Sequence, residues 1–415
     1  MSQPTAVVLG GGCVGAASAW ALQRAGVQTR WIDRGEPERA ASFGNAGHIA
    51  TEQIHPLASL ETLISLPRQL FLVGGPVGLP LRHLRHWLPF GLRLLAAARP
   101  SRFQAGCAAL KPLMAAALPA WGHLAQEIGA PELLRTDGHF AAFERVGTAA
   151  EAVRAAVATE YGYATARVAT AEELALLRAR FANRPTAAVR FANTGQVVDL
   201  SEWLRRLGAA FSQAGGITTR AEVLALTLTE GRAAALLDTG EQVSADHVVV
   251  AAGIGSAALL QPLVGAVPLI AERGYHLDAL VSEADWPRDL PPVAFPDRST
   301  IVTRFAHSLR MTGFTEFAVE GAAPDPRKWS RLEAHATALG LATGSERRRW
   351  VGCRPTLPDY LPAIGRSRVA GNLLYAFGHN HLGVTLSAIT GRLVADLACG
   401  RTPAVPLAPF DLHRF

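Results

Sequence analysis

The sequence predicts an α/β fold in which a Rossmann-like, dinucleotide-binding domain is interleaved with an α+β domain built on an antiparallel sheet. Residues 5–33 read as a strand, a glycine turn, a helix and a second strand, which together form a βαβ unit. Strand-like segments return at residues 187–199 and 216–252, and the last strand, "HVVV", is apolar throughout, as buried parallel strands are. No clean linker separates the two patterns, so we expect the first domain to be assembled from several stretches of chain.

These patterns divide the chain into five segments. We expect the dinucleotide-binding domain to comprise residues 1–56, 187–266 and 349–415, and the second, substrate-binding domain to comprise residues 267–348. The remaining segment, residues 57–186, is mostly helical, and we expect it to face the substrate or a membrane.

The bulk composition predicts a globular protein without a nucleic-acid partner. With 415 residues and 49% hydrophobic residues, the chain is long and apolar enough to bury a large core. Its 40 basic and 34 acidic side chains give a net charge of +6, which is too small and too scattered to indicate nucleic-acid binding. No uninterrupted apolar run approaches the roughly 20 residues that a membrane-spanning helix needs.

The four cysteines indicate a reducing compartment. Cys13, Cys107, Cys353 and Cys399 lie far apart, without the paired spacing of a zinc site or the density of a disulfide-rich domain. The opening "MSQPTAVVLGGG" has no basic stretch and no small-residue cleavage site, so we expect no signal peptide. The expected location is the cytoplasm.

A glycine motif near the amino end predicts a dinucleotide site. In "VVLGGGCVGAASAW", Gly10, Gly12 and Gly15 form GxGxxG between a strand and a helix, and Asp33 ends the next strand. The glycines let the backbone approach a pyrophosphate at the helix N-terminus, and the carboxylate accepts hydrogen bonds from ribose hydroxyls. Arg34 would tolerate an extra phosphate, so the motif alone leaves NAD, NADP and FAD open.

Residues 63–102, which we call the basic apolar segment, have an unusual charge pattern. No acidic residue occurs between Glu61 and Glu127, whereas arginines alternate with leucines and aromatic residues. This mixture is typical of a surface that makes a peripheral contact with an anionic membrane. It is equally typical of core helices with a solvated basic face. Both interpretations stay open at this point.

Seven motifs, in order along nearly the whole chain, resemble those of FAD-dependent amino-acid oxidoreductases, the family of D-amino-acid dehydrogenase, glycine oxidase and sarcosine oxidase. They are the glycine motif with "WIDR", then "ASFGNAGHI", "VVVAAGIGS", "ERGYH", "VTRFAHSLRMTGFTEF", "GCRPTLPDYLPAIG" and "FGHNHLGVTLSAITGRL". The resemblance implies a FAD-binding domain of the glutathione-reductase type. It is strongest to D-amino-acid dehydrogenases, through "SFGNAG" and "RPTLPD".

The resemblance also implies which residues surround the FAD, including a backbone group near Val223 beside the adenine. It implies a non-covalent flavin, although Cys353 lies where sarcosine oxidase tethers its flavin through a cysteine. The implied cofactor-binding residues are Gly10, Gly12, Cys13, Val14, Gly15, Asp33, Arg34, Ser42, Asn45, Ala46, Gly47, Val223, Ala252, Gly253, Gly378, Leu382, Gly383, Val384 and Thr385.

For the substrate, the resemblance assigns the arginine of the "RP" motif, Arg354, to the carboxylate of an amino acid. A planar guanidinium grips a carboxylate through two hydrogen bonds, which fixes the Cα–H over the flavin. Alternatively, Arg354 braces a loop, and Arg304 or Arg310 takes its place. Tyr275 could line the pocket or be an ordinary core tyrosine, since the sequence looks the same in both cases.

The implied reaction is dehydrogenation of a D-amino acid by hydride transfer to FAD, with D-proline or cis-4-hydroxy-D-proline as the expected substrate. Val384 stands where the D-alanine type tends to carry tryptophan, and the smaller residue would leave room for a ring. We expect a quinone or another carrier to take the electrons. The alternatives are an oxidase of glycine, sarcosine or an L-amino acid that uses oxygen, and a flavin-binding subunit of a larger complex.

The segment "FGHNHLGVTLSAITGRL" combines two histidines with a helix that begins at Gly383. His379 and His381 are two residues apart with no third ligand nearby, so we expect no metal there. The resemblance places the positive end of the helix at the flavin pyrimidine. We therefore expect a turn that covers the flavin, in which His379 and Asn380 border the substrate pocket and His381 is structural.

Overall fold

A computed structural model describes residues 3–283, 286, 288–341 and 347–415. Helices and strands are numbered here in chain order within these residues. The helices are α1 (Cys13–Arg24), α2 (Leu60–Gln69), α3 (Leu84–Ala97), α4 (Pro100–Glu127), α5 (Val146–Ala158), α6 (Ala171–Arg180), α7 (Leu200–Gln213), α8 (Ser256–Val264), α9 (Pro326–Ala338) and α10 (Gly383–Ala398).

The strands fall into four sheets. In chain order they are β1 (Thr5–Leu9), β2 (Gln28–Asp33), β3 (His48–Ile49), β4 (Val77–Gly78), β5 (Leu134–Arg135), β6 (His139–Phe143), β7 (Thr165–Val168), β8 (Ala187–Ala192), β9 (Gly195–Val197), β10 (Ile217–Arg220), β11 (Val223–Thr229), β12 (Arg232–Leu237), β13 (Gln242–Ser244), β14 (His247–Val250), β15 (Ile270–Leu280), β16 (Val293–Phe295), β17 (Thr300–Arg304), β18 (Ser308–Ala318), β19 (Arg347–Thr356), β20 (Ala363–Arg366) and β21 (Leu373–Phe377).

A six-stranded sheet forms the dinucleotide-binding domain, with the order β10-β2-β1-β14-β21-β20. All neighbours are parallel except β20, which runs antiparallel to β21 at one edge. The central strands are buried on both faces, because α1 and α10 pack against one face, whereas the β11-β12-β13 sheet and α8 pack against the other. Since β1, β14 and β21 come from distant parts of the chain, the domain is interleaved, as the sequence predicts.

Helices α1 and α10 pack closely against each other beside this sheet. A Cβ at Gly391 would lie 2.5 Å from the backbone oxygen of Ala17, so only glycine permits the observed approach. The indole of Trp121 in α4 donates hydrogen bonds to the carbonyl groups of Val384 (3.0 Å) and Thr385 (3.1 Å). These contacts fix the first turn of α10, which matters for the site described below.

The second domain contains a nine-stranded mixed sheet whose main path is β19-β15-β18-β17-β16-β6-β8-β7, with β4 paired to β18. The two longest strands, β15 and β18, run antiparallel, and their register shifts between Arg273 and Tyr275. The predicted fold class is confirmed: a Rossmann-like domain is interleaved with an α+β domain whose sheet is mostly antiparallel. Two small sheets, β11-β12-β13 and β3-β9-β5, complete the architecture.

The structure differs from the expected segment boundaries at two strands. Strands β8 and β19 join the nine-stranded sheet, although we placed residues 187–266 and 349–415 with the dinucleotide-binding domain. Both strands pair with partners far away in sequence, β6 and β15 respectively, and a strand pattern does not reveal its partner. No helix in the described part of the chain is long and apolar enough to cross a bilayer.

Candidate active site

One continuous cavity of about 780 Å³ extends from the carboxyl ends of β1 and β2 to the space between α10 and the nine-stranded sheet. Its first end is lined by Gly10, Asp33 and Val223, and its other end by Arg354 and His381. A pocket at the carboxyl ends of parallel strands is the usual place for a dinucleotide. The cavity therefore joins the predicted cofactor residues to the predicted substrate residues.

Two glycines of the motif at the first end accept no side chain. Gly10 has a φ of +122°, and a Cβ there would lie 2.4 Å from the carbonyl oxygen of Ala251. A Cβ at Gly15 would lie 2.0 Å from the carbonyl oxygen of Gly10. Gly12 precedes α1, so the N–H groups at the start of this helix face the cavity and form a cradle that fits a pyrophosphate.

Asp33 presents its carboxylate beside this turn. Its Oδ1 accepts a hydrogen bond of 2.7 Å from the N–H of Gly35, and a Cβ at Gly11 would lie 2.3 Å from its Cγ. The carboxylate is therefore fixed against the glycine turn and lines the cavity, where it fits the hydroxyls of a ribose. Arg34 also lines the cavity, and its Nε lies 3.5 Å from Oε2 of Glu36.

The "SFGNAG" loop forms one wall of the cavity and is held from behind. Arg310 donates hydrogen bonds to the carbonyl groups of Phe43 (3.0 Å) and Asn45 (2.8 Å) and pairs with Asp278 at 2.7 Å. Burial lowers the pKa of His276 to about 4, so its ring is neutral, and Nδ1 lies 3.0 Å from the carbonyl oxygen of Gly44. The guanidinium of Arg310 therefore binds the loop and Asp278, and we expect another residue to bind the substrate.

Ser42 ties the same loop to the glycine turn. Its Oγ accepts a hydrogen bond of 3.1 Å from the N–H of Cys13, in the first turn of α1. Burial raises the pKa of the Cys13 thiol to about 11, so this side chain is uncharged at neutral pH.

Most of the residues implied for the cofactor line the cavity, and the others support its wall. Those that line it are Gly10, Gly12, Cys13, Val14, Asp33, Arg34, Ser42, Asn45, Ala46, Val223, Ala252, Gly253, Gly383 and Val384. Gly15, Gly47, Gly378, Leu382 and Thr385 lie behind the lining. Thr385, for example, accepts a hydrogen bond of 2.9 Å from the N–H of Ala50 and so anchors the loop to α10.

Arg354 lies at the other end of the cavity on a buried carboxylate. Its Nη1 is 3.3 Å from Oε1 of Glu272, and its side chain keeps 25% exposure. Glu272 is 2% exposed, and its Oε2 accepts hydrogen bonds from Thr356 (2.9 Å) and Tyr360 (3.1 Å). The guanidinium crosses Gly274, where a Cβ would lie 2.3 Å from Nη2. Arg354 is therefore oriented on one side and open to the cavity on the other.

Arg304 does not reach the cavity. Its guanidinium is buried and donates hydrogen bonds to the carbonyl groups of Trp286 (2.9 Å), Val281 (3.4 Å) and Phe305. The expectation that Arg304 could act on the substrate does not fit this placement, because the side chain braces a loop. The sequence of the strand that carries Arg304 does not indicate that its guanidinium binds backbone carbonyl groups.

Tyr275 is among the residues that line the cavity, but its ring packs in the core against Trp329 of α9, with 5.3 Å between the ring centroids. The hydroxyl donates to Oε2 of Glu316 at 2.5 Å and accepts from the N–H of Asp325 at 3.0 Å. Lys328 lies 3.2 Å from Glu316, so these groups form a buried polar network. Burial, together with the hydrogen bond to Glu316, raises the pKa of the tyrosine. The hydroxyl is thus committed to this network and cannot also hold a substrate.

Both histidines of the "FGHNH" turn line the cavity and are neutral. Nε2 of His379 lies 3.0 Å from Oγ1 of Thr390, and Nε2 of His381 contacts Oε1 of Gln53. Burial lowers the pKa of His379 to about 3 and that of His381 to about 4. His381, which we expected to be structural, therefore lies on the cavity wall as His379 does.

Between the histidines, Asn380 adopts a φ of +45°. Its side chain donates to the carbonyl group of Tyr360 (3.0 Å) and accepts from the N–H of Leu382 (3.3 Å). These bonds stabilise the turn that starts α10, whose first residues Gly383 and Val384 line the cavity. The positive end of the helix thus faces the cavity.

Sequence reasoning missed three cavity residues, His48, Glu52 and His139, whose side chains lie together. His48 follows the "SFGNAG" loop, whereas His139 comes from β6. His48 and Glu52 are four residues apart, but His139 lies far away in sequence, so no motif spacing joins the three.

Comparison with known proteins identifies the family. The family model described as "FAD dependent oxidoreductase" (DAO) matches residues 5–397. The chain belongs to the DAO family. Members of this family bind FAD, so the implied cofactor and the enzyme class, a FAD-dependent oxidoreductase, are confirmed.

Individual relatives of this DAO-family protein cover almost its full length. A D-amino-acid oxidase of Bradyrhizobium diazoefficiens is 31% identical over 98% of this chain and 98% of the relative. A D-amino acid dehydrogenase of Paramagnetospirillum magneticum is 30% identical over 99% and 98% of the two chains. The solved glycine oxidase of Geobacillus kaustophilus has the same fold, with a TM-score of 0.72 and 19% identity, and the match covers 100% of this chain and 99% of that structure.

Proposed function

We propose that this enzyme dehydrogenates a D-amino acid whose carboxylate binds to Arg354. The observation that carries the proposal is the partly exposed guanidinium of Arg354 at the end of the cavity, oriented by the buried carboxylate of Glu272. A fixed guanidinium recognises a carboxylate with two parallel hydrogen bonds. The relatives named as D-amino-acid oxidase and dehydrogenase support the D configuration.

When bound, FAD would supply the acceptor for the hydride that leaves the Cα of the amino acid. The protein contributes position and charge, because hydride transfer from a neutral amine requires no general base. Arg354 holds the carboxylate, and the N-terminus of α10 supplies a partial positive charge near Gly383 and Val384. The neutral rings of His379 and His381 add no competing charge to the pocket.

For the substrate we propose D-proline or cis-4-hydroxy-D-proline. Val384 lines the cavity at the start of α10, and a valine there leaves more room for a ring than a tryptophan would. Steady-state assays with a redox dye test this choice. We expect kcat/KM for the two D-imino acids to exceed that for D-alanine, glycine, sarcosine and L-proline. A preference for D-alanine would reject the ring substrate, and a preference for L-proline would reject the D configuration.

For the electron acceptor we propose a membrane quinone, reached through the basic apolar segment on the cytoplasmic face. Its aliphatic side chains are unusually exposed, with Ile64 at 79%, Leu72 at 84% and Leu81 at 80%. Exposed arginines lie in the same segment, and an exposed surface that combines apolar and basic side chains is typical of a contact with an anionic membrane. The exposed arginines are Arg68, Arg82, Arg85, Arg93, Arg99 and Arg102.

This membrane contact predicts a charge-dependent association with vesicles. Replacing both Arg85 and Arg93 by alanine should weaken binding to anionic vesicles by roughly 30-fold, since each basic residue near such a surface contributes about 1 kcal/mol. Vesicle co-sedimentation of the FAD-loaded enzyme measures the effect. Arg205→Ala with Arg232→Ala, which removes two exposed arginines elsewhere, is the matched control. Equal binding of the wild type to neutral and anionic vesicles would contradict the assignment.

A second candidate function is that of an oxidase that passes electrons to oxygen. The D-amino-acid oxidase of B. diazoefficiens favours it, being as similar to this chain as the dehydrogenase is. Turnover in air without a dye, accompanied by stoichiometric hydrogen peroxide, would favour the oxidase. Turnover that depends on a dye or a quinone would favour the dehydrogenase.

We further propose that FAD is held without a covalent bond. Burial raises the pKa of the Cys353 thiol to about 11, so the reactive thiolate is scarce at neutral pH. We expect acid precipitation to release the flavin completely into the supernatant, and Cys353→Ala to retain one FAD per chain. Flavin fluorescence that stays with the chain on a denaturing gel would contradict this prediction.

A further inference from the structure

Two histidines and a glutamate lie together in the cavity wall, separate from Arg354 and from the glycine turn. His48, Glu52 and His139 each offer one ligand atom, and these atoms lie within 4.8 Å of one another. Nε2 of His48 is 3.1 Å from Oε1 of Glu52, and the two rings lie 4.5 Å apart between centroids. All three side chains are at least nine-tenths buried, with 8%, 10% and 4% exposure respectively.

The neighbouring residues orient both histidines in the same way. Nδ1 of His48 lies 3.2 Å from the carbonyl oxygen of Gly195, and Nδ1 of His139 lies 2.9 Å from Oγ1 of Thr194. Each ring is thus anchored through Nδ1. Nε2 of His48 lies against Oε1 of Glu52, and a shared ion would replace this contact. A histidine whose second nitrogen is held by a carbonyl or another oxygen atom is typical of metal sites, because that contact fixes the ring orientation.

The glutamate also offers a free oxygen atom to a cation, beside the oxygen that contacts His48. Oε2 of Glu52 is buried and has no hydrogen-bond partner among the described residues.

We propose that His48, Glu52 and His139 bind one divalent transition-metal ion of the zinc type in the cavity wall. Two imidazole nitrogens and one carboxylate oxygen form a donor set that such ions prefer, and a three-residue set leaves at least one coordination position open. Because all three residues line the cavity, the ion has an entry path, and its open position faces the interior. An oxygen donor from water or from a small molecule in the cavity completes the coordination. This proposal stands independently of the substrate proposed above.

The test is a titration of the FAD-loaded enzyme with Zn²⁺ after removal of metals by a chelator. We expect calorimetry and metal analysis to give one ion per chain, and both Glu52→Gln and His139→Asn to weaken binding by more than about tenfold. His123→Asn removes an exposed histidine outside the cavity and should bind Zn²⁺ like the wild type. Failure of the wild type to bind, or unchanged binding in both cluster variants, would overturn the proposal.

A measurement on the wild type alone keeps the proposal testable if a variant does not fold. X-ray absorption of the Zn²⁺-loaded enzyme should show two imidazole nitrogens and a carboxylate oxygen at about 2.0–2.2 Å. Sulfur ligands at about 2.3 Å would assign the ion to a cysteine and overturn the proposal. Far-UV circular dichroism of each variant, measured in parallel, reports on folding and not on the metal.

Discussion

Replacing Arg354 by alanine is expected to lower kcat/KM for the amino-acid substrate by roughly 10- to 150-fold. Hydrogen bonds to a charged group contribute about 1.5–3 kcal/mol, and every 1.4 kcal/mol is a factor of ten. The fold should survive, because Glu272 keeps its hydrogen bonds to Thr356 and Tyr360. Anaerobic titration of the flavin spectrum with substrate measures the binding, and steady-state kinetics measure the rate.

Two further variants separate recognition from a general effect of charge. Arg354→Lys keeps the positive charge but loses the planar fork, so we expect only partial recovery. Arg232→Ala removes an exposed arginine that pairs with Asp246 on the surface, and it should leave the kinetics unchanged. If Arg354→Ala bound the substrate as tightly as the wild type does, Arg354 would not be the carboxylate-binding residue.

Replacing Gly12 by alanine is expected to give a folded protein that retains FAD at least about tenfold more weakly. Within the described part of the chain, a Cβ at this position meets only Oγ of Ser42, at 3.3 Å, so these residues tolerate the methyl group. Gly12 lines the cavity at the start of α1, and the methyl group would stand where the backbone approaches the pyrophosphate. Dialysis followed by flavin absorbance measures the retention.

The matched control is Gly147→Ala in α5. Among the described residues, no atom outside its own helix turn and chain neighbours lies within 4 Å of a Cβ at Gly147, and Gly147 is not part of the cavity lining. Far-UV circular dichroism of both variants separates loss of cofactor from loss of fold. Retention of FAD by Gly12→Ala at the level of the wild type would show that this glycine is not part of the cofactor cradle.

The parts of the site that depend on local sequence were predictable. The glycine turn and Asp33 lie on one continuous βαβ unit, so their spacing alone brings them together. The start of α10 at Gly383 follows from its apolar stripe and the preceding turn. The family resemblance located Arg354, although not its carboxylate partner Glu272, which lies on the neighbouring strand β15.

The rest depends on contacts between distant segments. The bulge near Gly274 re-aims the side chains of β15, which is why the direction of the Tyr275 hydroxyl could not be predicted from alternation. Arg304 and Arg310 are both buried arginines of the nine-stranded sheet. The fold, and not the sequence, shows that each guanidinium donates hydrogen bonds to backbone carbonyl groups. His139 in β6 reaches His48 in β3 because β6 pairs with β8 and β3 pairs with β9, the next strand along the chain, and no local pattern predicts these pairings.

The central claim is that one cavity joins a bound FAD to a D-amino acid held at Arg354. Its most direct test is the visible flavin spectrum of the purified enzyme under anaerobic conditions, recorded before and after addition of D- and L-amino acids. We predict that D-proline or cis-4-hydroxy-D-proline bleaches the spectrum rapidly and that the L-enantiomers do not. A flavin spectrum that no D-amino acid bleaches, in an enzyme that retains its FAD, would contradict the account.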